Sequence, residues 1–535
     1  MAIQTHAAMS EDAGTTPFQA IILCGPGSSF PTFTTNADQN PKALLPIANR
    51  PMVWYAIDFC RRMLITDITL VVPPSSASAI NTALKTNPQF HMTNVPMPSL
   101  LAPKGLDFDT RTAQILRLPE VRAIIKRNFM VLPCDLVCEL GGETFLDLWA
   151  VQACRPGGRG NTGGLGVFYD TNVEPVVKGE ETSFIATSAL GSQVHSSVHF
   201  PLLKHVSNLV YSVPTDTLDD IIEAKKFLPI RHSLLQAHPR VRMLGSHRDA
   251  HIYLFPSWVL DMINTNDRIE SIDEDLIGWW AKTDWQKGLG EKLGLPKVLG
   301  LEAATTEEEN VAKPMKVDFD ALCSTNVTNV DPSEEEQPKL ATPPLLAYVH
   351  PSQPTVGAPI PLIRRVDTGP LLLSVSLQLA KIEAIEVAGK ASSPLAHHSK
   401  VAYPEGIAAR TTISRADCLL AENVIVEEKT SIKESVIGAN CTIRTGAKLL
   451  RCLLMDGVVV GKNCKLTGCI LGKRSKIGDD TILLDCEVQE NLAVTARTED
   501  KNTRLMSSAG MEITEEEMDN IVDDGAAVDD DSGLT

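Results

Sequence analysis

The sequence lacks any stretch approaching the roughly 18 uninterrupted apolar residues of a bilayer-spanning helix, so no membrane-spanning segment is expected. Its opening residues show no basic segment running into an apolar core, as a secretory signal would, and a cytosolic location is expected. None of the twelve cysteines falls in a C-x-x-C pair, and the twelve histidines show neither H-E-x-x-H nor a Cys/His ligand spacing. No metal site is signalled, and the cysteines read as small, reduced, buried residues. There is no basic stripe to neutralise phosphates, which argues against direct nucleic-acid binding.

At 535 residues the chain has room for two or three domains with sizeable cores. Its formal net charge of −17 is not spread along it. Residues 302–339 hold ten acids against three lysines, and residues 511–535 hold ten acids against no base, so these two segments carry the whole excess. Both are aromatic-poor and low in complexity, and they are expected to be disordered spacers, with interaction tails as the alternative reading.

What is present is a repeat. From Leu420 to Leu483 an apolar residue returns on a six-residue beat, in four groups of three whose starts lie 17 residues apart. The groups are Leu420, Val426, Ile432; Ile437, Ile443, Leu449; Leu454, Val460, Leu466; and Leu471, Ile477, Leu483. A triplet with this step predicts a triangular coil of three short strands, each sending one aliphatic side chain inward. Gly438, Gly461, Gly472 and Gly478 directly follow inward residues, and Cys441, Ala447, Cys464, Ser475 and Thr481 follow one by four positions, as tight corners require. Ordinary antiparallel strands would alternate with a period of two and would not hold a six-residue phase.

The first half reads differently. Phe18 to Cys24 predicts a buried strand running into the loop Gly25-Pro26-Gly27-Ser28-Ser29. Pro41-Lys42-Ala43-Leu44-Leu45-Pro46 follows, then a helix opening at Pro51 and a second buried strand at residues 68–72. This order is a βαβ unit at the head of a parallel sheet, and strands at residues 129–133 and 164–169 with a helix near 144–154 extend it. A glycine loop after a first strand is where such sheets hold nucleotide phosphates on bare backbone N–H groups. Gly25-Pro26-Gly27 nevertheless lacks the third glycine of a dinucleotide fingerprint and the Gly-Lys-Ser/Thr of a P-loop.

The glycine loop, the Pro41-Lys42 and Leu45-Pro46-Ile47 series, and Leu132-Pro133-Cys134-Asp135-Leu136 resemble the sugar-phosphate nucleotidyltransferases, or pyrophosphorylases. In that family a loop arginine, the Pro-Lys lysine and an aspartate-held Mg²⁺ stabilise the transferring phosphate. Here the arginine position is Ser29, and the family's Gly-Thr-Ala stretch reads Arg111-Thr112-Ala113, whose long side chain is expected to enter the base-binding space. The resemblance therefore implies a vestigial nucleotide pocket of Gly25, Gly27, Lys42 and Asp135, with the ancestral activity lost, no catalytic residue, no metal and no cofactor. For Lys42 an exposed loop lysine, and for Asp135 a strand-end cap, remain the alternative readings.

A nucleotidyltransferase-like domain of this kind joined to a left-handed β-helix resembles the gamma and epsilon subunits of eukaryotic translation initiation factor 2B. Segments 41–52, 134–136, 271–276 and 365–368 look like the gamma type. An epsilon-type subunit carries its exchange activity in a helical-repeat domain after the β-helix, and the some fifty residues after Leu483 are expected to leave no room for one. The expected fold is an α/β nucleotidyltransferase-like (Rossmann-like) domain followed by a left-handed parallel β-helix of hexapeptide repeats. The expected boundaries are a disordered start at 1–16, the α/β domain at 17–381 with an acidic insertion at about 295–342, a linker at 382–404, the β-helix at 405–490 and an acidic tail at 491–535. The resemblance implies a non-catalytic assembly subunit whose partners are an epsilon-type subunit, the remaining subunits of initiation factor 2B, and initiation factor 2. A sugar-1-phosphate nucleotidyltransferase is the alternative. An acyltransferase working on the β-helix would need a histidine between coils, and none follows His398.

Overall fold

The computed structural model describes residues 18–25, 29–36, 38–91, 96–107, 109–141, 146, 149, 162–190, 203–300, 342–353 and 360–507. Gly27 and the two acidic segments, apart from their margins, lie outside the described residues, as does most of the helix expected at 144–154. The chain divides into two compact units, the second made of Pro31–Thr35, Ala380–Lys390 and His397–Thr535.

The first unit is built on one nine-stranded sheet. Its strands are β1 (Phe18–Leu23), β2 (Ile68–Val71), β3 (Ser99–Leu101), β4 (Asn128–Pro133), β5 (Gly164–Asp170), β6 (Ser183–Ser188), β7 (Val206–Pro214), β8 (Val241–Phe255) and β9 (Leu345–Val349), in the spatial order β3-β2-β1-β4-β8-β5-β9-β7-β6. The first four run parallel, as the continuous apolar runs of β1 and β2 predict for strands buried on both faces. β8 then enters antiparallel against β4. Between β1 and β2, α1 (Met52–Arg62) starts just after Pro51 and buries Met52 to Cys60. The core below the sheet joins β1, β4 and β8 to α2 (Thr112–Arg117) through Ile21, Ala113, Leu116, Phe129 and Phe255.

In the second unit the strands stack into three parallel sheets of six, six and five strands, the parallel β-helix that the repeat predicts. All twelve residues of the beat are buried in one core. Register is strict: Val426 sits beside Ile443, and Ile443 beside Val460. The turns differ from the simple expectation. Gly438 and Gly461 serve close approach, since a Cβ there would lie 2.7 Å from the backbone carbon of Met455 or Gly478 in the next coil. The left-handed corner positions fall elsewhere, on residues such as Asn440, Gly446, Asn463 and Asp480.

Three boundaries move. The insertion does not open at 295, because Leu295–Val298 is a helix whose Leu295 is fully buried in the α/β core. The stretch read as linker carries a short helix at Ile385–Ala388, and Val401 already bridges to Leu420. The β-helix also continues past 490, through Ala493–Val494, Glu499–Lys501 and Arg504–Leu505. The apolar beat hides that last coil because Asp500 stands in register with the inward Leu483. All ten cysteines among the described residues are buried and unbonded, as expected of reduced thiols.

An Asp at position 443 would sit unpaired between Val426 and Val460, at a cost of several kcal/mol. Ile443→Asp is therefore expected to lower the melting temperature by roughly 10 °C or more, or to abolish soluble expression. Lys462→Asp, on an exposed position, is expected to change it by no more than a degree or two, read by thermal unfolding of both variants beside wild type.

Candidate functional site

Because β1, β2 and β4 are parallel and in register at Leu23, Val71 and Pro133, their carboxyl ends lie level. That is where open α/β sheets hold ligands. A cavity of about 450 Å³ opens there, lined by Cys24 and Gly25 after β1, Pro73 after β2, and Cys134 and Asp135 after β4. Its size suits a small molecule. A Cβ added at Gly25 would meet nothing within 4 Å, so the wall is open at that point.

Lys42 and Asp135 meet across the cavity floor. The lysine stands on a single 3-10 turn, Lys42–Leu44, and its Nζ lies 2.8 Å from Asp135 Oδ2. Neither of the simpler readings holds, for Lys42 is largely covered and Asp135 is 2 % exposed. A third group joins them. Arg365, at the end of strand Ile363–Arg365, places Nε 3.6 Å from Asp135 Oδ1. Burial alone would push the Asp135 carboxyl up, but Lys42 and Arg365 overcome it and hold the group well below the usual carboxylate range. Lys42 behaves in the mirror sense: burial opposes its charge, and Asp135 raises its pKa in spite of that.

The charges continue in alternation. Arg365 approaches Asp367 at 4.0 Å, Asp367 pairs with Arg248 of β8, and Arg248 Nη1 reaches Glu180 Oε1 at 3.3 Å. Lys42, Asp135, Arg365, Asp367, Arg248 and Glu180 thus form a line of alternating sign, in which each carboxylate lies between or beside cations. Tyr169 closes the end by donating to Glu180 Oε1 at 2.8 Å.

Beside this line β8 bulges. Its register slips between Asp249 and Tyr253, and His251 takes a φ of 52°, the left-handed region that a non-glycine residue seldom occupies. The bulge directs His251 into the cavity wall, where Arg365 Nη1 donates to its Nε2 at 3.1 Å. Burial and the neighbouring Arg365 lower the imidazole to about 4, so it is neutral at pH 7. Asp249, which accepts from the His251 N–H and the Tyr253 hydroxyl, is pushed up by burial to about 7.

The arrangement offers a divalent cation little: Asp135 Oδ2 is bonded to Lys42, its Oδ1, which accepts no hydrogen bond, lies 3.6 Å from Arg365 Nε, and no cluster of three His, Cys, Asp or Glu suited to a metal occurs among the described residues. Arg111 departs from expectation too. It pairs with Glu270 at 3.6 Å and Glu274 at 3.4 Å on the surface, while Thr110 and Thr112 line the cavity in its place. The side chain expected to fill the base-binding space leaves that space open. Ser29, at the loop-arginine position, is exposed.

Of the residues singled out in the sequence, Gly25, Lys42 and Asp135 line one cavity, and sequence reasoning missed Arg365, Asp367, Arg248 and His251. The available signal was charge inside a strand, as with Arg248 and Asp249 set between His247 and His251 in β8.

Two likenesses to known proteins bear on this geometry. Residues 414–502 match the family described as the GMPPB C-terminal domain. The chain is also 28% identical over 282 residues, 53% of its own length and 55% of the relative's, to translation initiation factor eIF2B subunit gamma of Schizosaccharomyces pombe (strain 972 / ATCC 24843). The chain thus spans about half the length of the curated relative it matches. Fold and site together define a nucleotidyltransferase-like α/β domain carried with a hexapeptide-repeat β-helix. Within that class, the chain is similar to the gamma subunit of translation initiation factor 2B.

Two measurements check the site. Millimolar Mg²⁺ is expected to leave the melting temperature within a degree of its value in chelator, since a bound ligand would raise it. For His251 the folded pKa of about 4 lies below the unfolded value of about 6.5, so its contribution is complete above pH 6.5 and is lost as pH falls toward 4. His251→Asn suits the left-handed backbone and does not titrate. Relative to this variant, wild type is expected to lose stability between pH 6.5 and 4 in urea titrations. The opposing slope from Asp249 is present in both proteins and cancels in the difference.

Proposed function

We propose that the chain is a non-catalytic subunit of the translation initiation factor 2B guanine-nucleotide exchange complex, pairing with an epsilon-type subunit to promote GDP/GTP exchange on initiation factor 2. The observation that carries this reading is the Lys42–Asp135–Arg365 cluster. Nucleotidyl transfer needs uncommitted cations and a metal on the developing phosphate charge. Here the lysine and the aspartate neutralise one another, and the loop-arginine position is serine. The likeness to the gamma subunit supports the assembly and the cytosolic location. In this role the two folded units supply surface for the epsilon-type subunit, the remaining subunits and initiation factor 2, with no nucleic acid or membrane bound directly.

A sugar-1-phosphate nucleotidyltransferase is the second reading, favoured by one observation: the cavity stays open because Arg111 turns away from it. Incubation with nucleoside triphosphates, sugar 1-phosphates and Mg²⁺ separates the two. No nucleotide sugar above background is expected, the loss of one preorganised charge alone costing about a hundred- to a thousandfold in rate. Turnover that disappears in Lys42→Ala and Asp135→Ala variants would establish the enzyme.

The assembly reading is tested by GDP release from loaded initiation factor 2. The chain alone is expected to be inactive, and its co-expression with the epsilon-type subunit is expected to form a stable complex and raise the rate above that of the epsilon-type subunit alone. Activity of the isolated chain, or absence of both complex and stimulation, overturns it.

A further inference from the structure

Contrary to the expectation of no basic stripe, residues Ala224 to Arg248 contain no Asp or Glu, while Lys225, Lys226, Arg231, Arg240, Arg242 and Arg248 are all basic. Only Arg248 is used in the buried line of charges; the other five have no ion-pair partner among the described residues. The stretch covers the end of α3 (Thr215–Lys225), α4 (His232–Ala237) and the first residues of β8. It also holds a concentration of exposed apolar side chains: Phe227 at 63%, Leu235 at 48%, Ile230 at 42% and Met243 at 40%. Contiguous exposed apolar groups rimmed by charge mark interaction sites.

Beside two of them, Ile230 and Met243, lies a second cavity of about 220 Å³, lined also by Leu234, Tyr211 and Trp285. Trp285 is fixed, since its Nε1 donates to the Val210 carbonyl at 2.7 Å. Lys225, Arg231 and Lys282 stand at its edge. Lys282 Nζ lies 4.7 Å over the Tyr211 ring, and burial with the nearby Arg231 lowers its pKa, so a carboxylate arriving there would relieve an unpaired, half-buried cation. The acids of α3 do not compensate, because the helix turns only Ile221 and Lys225 to the cavity.

We infer that this surface, on the α/β unit and away from the nucleotide-type cavity, binds an acidic polypeptide segment that seats one large apolar side chain in the 220 Å³ cavity. Charge complementarity selects the acidic partner, and the apolar lining selects a side chain rather than a bare polyanion, in the manner of an anchor residue inside a charged rim. The inference does not rest on the function proposed above.

The test uses the full chain and a fluorescein-labelled synthetic peptide of Glu and Asp around one central Trp, followed by anisotropy. Saturable binding that weakens with added salt is expected. Replacing the peptide's Trp by Ser is expected to weaken it about tenfold or more, as are Lys282→Glu and Ile230→Ser in the protein. Lys465→Glu, on the exposed face of the β-helix, is expected to leave binding unchanged, and thermal unfolding of each variant verifies the fold. Three outcomes overturn the inference: no saturable binding, equal binding of the Trp and Ser peptides, or a single-stranded RNA of the same length binding as tightly as the peptide, which would make the surface a phosphate site. Unchanged affinity in both Lys282→Glu and Ile230→Ser overturns it as well.

Discussion

The first unit depends on a constraint of charge: six ionised side chains are gathered in one line, and each must find its opposite there. Desolvating a single carboxylate costs several kcal/mol, and attraction to a partner offsets that only when the geometry is close. The line from Lys42 through Asp135, Arg365, Asp367 and Arg248 to Glu180 satisfies the requirement by alternation. Its members come from the loop after β1, the end of β4, the strand Ile363–Arg365 and its following turn, β8, and the approach to β6. The line therefore ties together segments that the chain order holds far apart. Removing one member leaves its neighbours charged and buried, which is why such pairs are costly to break although they add little net stability when whole.

That solution also decides the chemistry of the cavity beside it. A lysine on the turn at Lys42–Leu44 and an aspartate at the end of β4 have the positions that phosphate and metal binding would use, but the lysine holds one carboxylate oxygen and the Arg365 guanidinium faces the other. The apolar walls and the open side toward Thr110 and Thr112 remain. The space that remains has a floor on which lysine, aspartate and arginine offset one another.

The β-helix is governed by repetition rather than by charge. Each coil presents its aliphatic residues to the coil above and below, so no residue inside it is distinguished by its neighbours alone, and a defect is felt through the stack. Corner residues carry the geometric demand. Where the backbone of the next coil approaches to 2.7 Å of a Cβ position only glycine fits, and where φ is positive asparagine, aspartate and glycine are frequent occupants.

The sequence by itself determined the β-helix, because a coil contacts only its neighbours and the rule that builds one is a local spacing: the twelve residues of the beat are all in its core. It determined the first βαβ unit for the same reason, and with it the meeting of Gly25, Lys42 and Asp135 at the strand ends. Where the spacing was interrupted, as at Asp500, the final coil was invisible to it. Only the tertiary structure decided that Arg365 shares Asp135 with Lys42, that Arg111 turns outward, and that a bulge at His251 brings an imidazole to the cavity. Those outcomes depend on which distant segments arrive beside one another, and charges hundreds of residues apart carry no periodicity by which a sequence could announce the pairing.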